Sequence, residues 1–161
     1  MRIFNHLAKL LVVATVLLIG CETDQPQTSE ERDAAAIHMM IEELTDAYVD
    51  RDWDRFAGFF EQDAIWMPPG AAPLSGEEAW WAWVQAWWDA STVVDIGVTT
   101  EELIISGDWA IERHSEFQET IFGEAKESTL SNFKGMWIFR RQVDSSWKIA
   151  RYIWNENTPL D

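Results

Sequence analysis

The second half of the chain consists of four long β-prone runs, Val93 to Ile105, Trp109 to Phe122, Thr129 to Val143 and Trp147 to Asn155, punctuated by turn signals such as "SGD" at 106–108 and "DSS" at 144–146. Ahead of them the periodicity is helical. Ile37, Ile41, Leu44 and Tyr48 recur at three- and four-residue spacing, flanked by Met40 and Ala47, in a helix read from Ala34. "DRDWDRFAGFFEQDA" then gives a break near Asp52, where Asp can cap, and a short second helix burying Trp53, Phe56, Phe59 and Phe60. After Asp63, "AIWM" reads as a strand closed by "PPG" at 68–70, since two prolines forbid helix and Gly70 permits a turn. Helices first and long antiparallel strands after them define an α+β domain and exclude a parallel doubly wound sheet.

One helix has an uncommon composition. In "EEAWWAWVQAWWD", residues 77–89, five tryptophans occupy nine positions, and Ser75 with Glu78 three residues on forms a capping-box signature ahead of them. At about 100° per residue, Trp80, Trp81, Trp83, Trp87 and Trp88 fall within one arc of about 160°. The centre of that face, Trp80, Val84, Trp87 and Trp88, is expected to be core. The edge residues Trp81 and Trp83 are candidates for a pocket rim or a dimer contact.

The chain opens with a basic start (Arg2, Lys9), an apolar run "LLVVATVLLI" from Leu10 to Ile19, then Gly20 and Cys21. The run is too short to span a bilayer comfortably. "LIGC" resembles the lipobox of bacterial lipoproteins, whose cysteine is lipidated and becomes the mature N-terminus, and Cys21 is the only cysteine in the chain. Residues 1–20 therefore read as a signal peptide, 21–33 as a flexible tether from lipidated Cys21, and 34–161 as one domain. Polar "ETDQPQTSEERD" reaches about 20 Å as a random coil. The location implied is the bacterial cell envelope, with the acyl chains holding the domain on a membrane surface. Glu22, not being Asp, points to the outer membrane where the cell has one. Without residues 1–20 the chain carries 10 Lys+Arg against 28 Asp+Glu, a net −18. That charge opposes binding to nucleic acid or anionic lipid, and it argues against the tryptophans being a membrane patch.

Three ordered segments, "AYVDRDWDRFAGFFEQDAIWMPPG" (47–70), "SGDWAIER" (106–113) and "KGMWIFRRQVDSSWKIARYIWN" (134–155), resemble the NTF2-like superfamily, in its SnoaL-like, ketosteroid-isomerase-like group. The resemblance covers about Ile37 to Asn157. It implies a cone-shaped α+β fold with a curved antiparallel sheet wrapped around about three N-terminal helices, and a pocket at the wide end. It also implies that homodimers are common. Fold alone does not fix function, because this one hosts isomerases, dehydratases, cyclases, hydrolases and pure binding modules. Ketosteroid isomerase moves its proton with an Asp base and holds the oxyanion with a Tyr and a protonated Asp. The positions implied for that Tyr and that base fall on Leu44 and on Met67 or Pro68. None of these can take a proton, so steroid isomerisation by that machinery is not expected.

Other groups remain. Along "WAIERHSEFQ", alternation puts Ala110, Glu112, His114 and Glu116 on one face and Trp109, Ile111, Arg113, Ser115 and Phe117 on the other. Antiparallel sheets usually bury their apolar face, which makes the polar set the solvated one. If the polar set lines the interior instead, His114 and Glu116 form a candidate acid–base pair. In the last strand, Trp147, Ile149 and Ile153 read as one set and Lys148, Ala150, Tyr152 and Trp154 as the other. Tyr152 stands where related sequences often have Asp, and a phenol is a better hydrogen-bond donor than base at neutral pH. Trp66, Trp137 and Trp154 could complete an aromatic lining with Trp81 and Trp83, with Tyr152, His114 or Asn155 orienting a small hydrophobic or aromatic ligand. No cofactor is implied. His6, His38 and His114 have no metal-ligand spacing, and the chain shows neither a Gly-rich phosphate loop nor a Ser or Cys nucleophile motif.

Overall fold

A computed structural model describes residues 27–157. The first helix, α1 (Ser29–Val49), starts at Thr28, whose hydroxyl accepts from the Glu31 N–H while the Glu31 carboxylate accepts from the Thr28 N–H. This reciprocal cap places the helix start five residues ahead of the expected Ala34. Residues 29–33 are thus helical, which shortens the tether read over 21–33; Cys21 and the signal peptide lie outside the described residues. Asp33 is also fixed to the sheet. Arg141 donates to both its carboxylate oxygens at 2.7 Å, and the guanidinium lies 4.3 Å over the Trp147 ring. That cation holds the Asp33 carboxyl below the usual range.

Asp52 caps the short α2 (Trp53–Gly58), as the sequence suggests. The following strand, β1 (Phe60–Met67), begins at Phe60, four residues earlier than the Ala64 of the sequence reading, so Phe60 belongs to the sheet and not to the helix. Ser75 does not cap the Trp-rich helix. It lies in the two-residue strand β2 (Leu74–Ser75), paired with Ile65, and Gly76 stands at the N-cap of α3 (Glu77–Ala90) without a side-chain cap bond. Pairing in the sheet wins over the capping signature because it satisfies the backbone of the segment, down to the Gly76 N–H donating to Ala64.

Four long strands follow: β3 (Ser91–Ser106), β4 (Trp109–Phe122), β5 (Thr129–Arg141) and β6 (Trp147–Glu156). The sheet order is β2-β1-β6-β5-β4-β3, antiparallel throughout except for the parallel pair β1–β6. Register shifts at Val93/Asp95 and Thr100/Glu102 bend β3, and bulges of this kind let a sheet curl around its cover. The cover is the helical layer, and the core between them is aromatic. Trp66 and Trp80 stack in parallel at 5.7 Å, Phe60 lies 4.9 Å from Trp66, and Phe56 meets Phe60 and Tyr48 at 5.2 Å each. Trp80, Val84 and Trp88 are buried as expected, while Trp87 is only half-buried, edge-on to Phe122 at the end of β4.

The faces of β4 reverse the usual rule. Glu112, His114 and Glu116 are 0%, 1% and 9% exposed, whereas Trp109, Ile111 and Phe117 are 43%, 40% and 39% exposed. The reading that put the polar set in solvent is therefore overturned. The helical layer covers the concave face, so position on the curve decides burial. The outward Phe117 ring lies over Gly97 of β3, where a Cβ would sit 2.2 Å from it. A second correction concerns β6. Ile149 pairs with Phe139 and Arg151 with Ile138, so Ala150 is an extra residue. This bulge brings Ile149 to the inner face along with Tyr152 and leaves Ile153 outside.

Candidate functional site

Cross-strand pairing arranges the inner face of the sheet into rows. One row runs Leu103, Glu112, Trp137, Tyr152, Trp66; the next Thr100, His114, Gly135, Trp154; the next Val98, Glu116, Phe133, Glu156. Since successive inward residues on a strand sit about 7 Å apart, β4 lays a stripe of polar groups along a wall of aromatic ones. Between this wall and the helices lies a cavity of about 320 Å³. Leu44 and Tyr48 of α1 and Trp83 and Trp87 of α3 close it on the helical side.

The polar stripe is internally connected. Glu112 Oε2 lies 2.7 Å from His114 Nδ1, and Gln118 donates to Thr120 at 2.9 Å. With Nδ1 engaged by Glu112, His114 Nε2 is turned toward Glu116, whose Oε2 is 3.9 Å away. Among the described residues, neither His114 Nε2 nor Glu112 Oε1 has a hydrogen-bond partner. The imidazole packs 4.2 Å from the Trp137 ring and needs the space above Gly135, where a Cβ would lie 2.3 Å from Nε2. Glu116, unlike His114, lines the cavity. Burial lifts its carboxyl to about 7, opposed in part by His114. Burial also pushes the Tyr48 and Tyr152 phenols well above their ordinary value, with the Glu116 charge adding to the effect, so both remain O–H donors near neutrality.

Of the residues singled out from sequence, Glu116, Trp66, Trp83, Trp137, Tyr152 and Trp154 line the cavity, with His114 directly behind. Trp81 does not join them. Its ring lies 4.7 Å from Trp53 and edge-on to Trp88, in the seam between α2 and α3. Asn155 does not either, because it pairs with Lys134 on the outer face while its neighbour Trp154 points inward. Leu44, at the position the resemblance gives to the isomerase Tyr, does face the cavity, but with an apolar side chain. The sequence reading missed Glu112 as the partner of His114, Tyr48 and Glu156 as lining groups, and Gly135 as the imidazole's berth. Glu112 carried a signal, since it lies two residues from His114 on the same face. Among the described residues, no three His, Cys, Asp or Glu side chains are grouped to hold a metal ion.

A curved sheet with helices across its concave face and an aromatic cavity defines the ketosteroid-isomerase-like class of the NTF2-like fold. The chain belongs to the SnoaL-like domain family, which matches residues 41–152. Its backbone is similar to that of a ketosteroid isomerase-like protein from Erwinia carotovora atroseptica, with TM-score 0.69 and 19% identity over 78% of this chain and 96% of that one. It is also similar to the hexachlorocyclohexane dehydrochlorinase LinA-type3 of Novosphingobium barchaimii, with TM-score 0.65 and 21% identity over 80% and 90%. ActVI-ORFA of Streptomyces coelicolor superimposes with TM-score 0.66 and 11% identity over 77% and 96%. At these identities the likeness is one of fold. No curated protein matches the chain in sequence.

Proposed function

We propose that the domain binds a small hydrophobic or aromatic molecule in the cavity, with Glu116 as the group that meets its polar end. The observation that carries this is the lining: eleven of twenty-one residues are aromatic, and one buried carboxyl faces the space. Enclosed apolar cavities with a few convergent polar groups are the usual form of small-molecule sites. The test is to titrate apolar ligands of several ring sizes while following tryptophan fluorescence. A spectrum that answers to none of them would sink the reading.

A second reading, proton transfer on the bound molecule, is favoured by the pKa of about 7 at Glu116, which makes both its acid and its base form available near neutrality. Glu116 would exchange the proton and His114, held by Glu112, would position and tune it. That two of the similar structures are described as a dehydrochlorinase and as ketosteroid isomerase-like agrees with such chemistry. Replacing Glu116 and His114 should abolish turnover while the fold persists; unchanged turnover would remove both from the mechanism.

Two proposals concern the whole protein. Lipidation of Cys21 would hold the domain on the envelope membrane; fatty-acid incorporation lost in Cys21→Ser tests it. A second copy would cover the outer sheet face, where Trp109, Ile111 and Phe117 are part-exposed. Light scattering on an Ile111→Lys variant should then show half the native mass, and an unchanged mass would remove that face as the interface.

A further inference from the structure

We infer that the ligand is a hydrophobic organic cation, an amine or quaternary ammonium carried on an apolar or ring-bearing body. The inference rests on the cavity being a ligand site and adds the ligand's charge. Its first support is the balance of groups in the lining: two carboxylates, Glu116 in the wall and Glu156 at the end of β6, and no Lys, Arg or His among the described residues that line it. The nearest basic group on the stripe, His114, is buried behind the wall with Nδ1 committed to Glu112.

The second support is the aromatic geometry. Tyr152 and Trp154 stack at 4.3 Å and 21°, and Trp66 stands steeply inclined to both, at 5.8 Å and 6.1 Å, so three rings that line the cavity cluster at one place in it. The face of an aromatic ring carries negative charge density, and aromatic cages are the recurrent means of holding quaternary ammonium groups. The third support is the field of the molecule. With 28 acidic residues against 12 basic ones, the chain concentrates cations around itself and repels anions.

Beside a neutral apolar ligand Glu116 meets the desolvation cost of its charge by staying protonated, and an anion would add repulsion to that cost. A cation offsets the cost instead. Since burial already holds Glu116 near the point of ionisation, the arrival of a positive group needs to displace only one proton.

Three probes of closely similar shape separate the alternatives when titrated against the full chain by calorimetry and tryptophan fluorescence: benzyltrimethylammonium, its uncharged isostere neopentylbenzene, and phenylmethanesulfonate. The ammonium should bind at least about tenfold more tightly than neopentylbenzene, and the sulfonate most weakly. Glu116→Gln, which keeps the side-chain shape, should remove about tenfold of the ammonium affinity and leave that of neopentylbenzene unchanged. Neopentylbenzene binding as tightly as the ammonium would overturn the charge assignment and leave the cavity standing as a ligand site. An ammonium affinity untouched in Glu116→Gln would also overturn it, since Glu116 is the buried carboxyl of the lining and Glu156 is exposed. Binding of none of the three would take the ligand site down together with the inference.

Discussion

Glu116→Gln should make the protein more stable at pH 8 and leave it nearly unchanged at pH 4. The carboxyl titrates at an ordinary 4.5 in the unfolded chain and at about 7 in the fold, because burial disfavours its charge. A raised folded-state pKa contributes stability that is fully present below 4.5 and lost as the pH rises through 7. At about 1.4 kcal/mol per unit, the lost contribution is on the order of 3 kcal/mol above pH 8. With its side chain only 8% exposed, Glu116 needs little discount for solvent screening. Gln retains the shape and cannot ionise, so the variant loses this slope while every other carboxylate titrates in both proteins. Urea unfolding at half-unit steps from pH 4 to pH 8.5 gives the two stability curves, which should converge at the acid end and separate by about 3 kcal/mol at the alkaline end. Parallel curves would refute the reasoning, as would a Glu116 Cδ resonance titrating near 4.5. A buried group that costs stability at working pH is expected where function requires it.

Gly135→Ala should displace the His114 imidazole, since the new Cβ would lie 2.3 Å from Nε2 and 3.1 Å from the Ile153 carbonyl oxygen. The expected loss is about 1–3 kcal/mol with a shifted His114 ring resonance, and an unshifted resonance would show that the space is not needed. Arg141→Ala should release the start of α1, costing about 2 kcal/mol, because Asp33 loses both charge-assisted bonds. Amide exchange should quicken in the first turn of α1 and not in its middle; uniform quickening would contradict a local clamp.

The order of elements, the Asp52 cap and the buried centre of the Trp-rich helix were legible because each depends on local periodicity or local hydrogen bonding. The polarity of β4 was not. "WAIERHSEFQ" alternates cleanly, but which set of residues faces inward depends on which side of the sheet the helices cover, and no residue in the strand encodes that. Ala150 failed for a related reason: a bulge inserts one residue with no compositional mark, and every face assignment beyond it inverts. Ser75 carried a capping signature in a segment whose backbone found sheet partners instead. The candidate site was half visible. His114 and Glu116 stood out as a pair, whereas the berth at Gly135 shows only when β5 is laid beside β4.

The two glycines that sit beside β4 have a consequence for folding. Sliding β4 by one residue would bury Trp109, Ile111 and Phe117 and free Glu112, His114 and Glu116 to water, an arrangement that hydrophobicity alone prefers. Only the native alignment sets the His114 ring over Gly135 on the inner face and the Phe117 ring over Gly97 on the outer one. In a slipped hairpin those rings would meet side chains instead of open space. The glycines thus act as a lock and key on either side of one strand, holding a functional but hydrophobically disfavoured alignment against its conventional competitor.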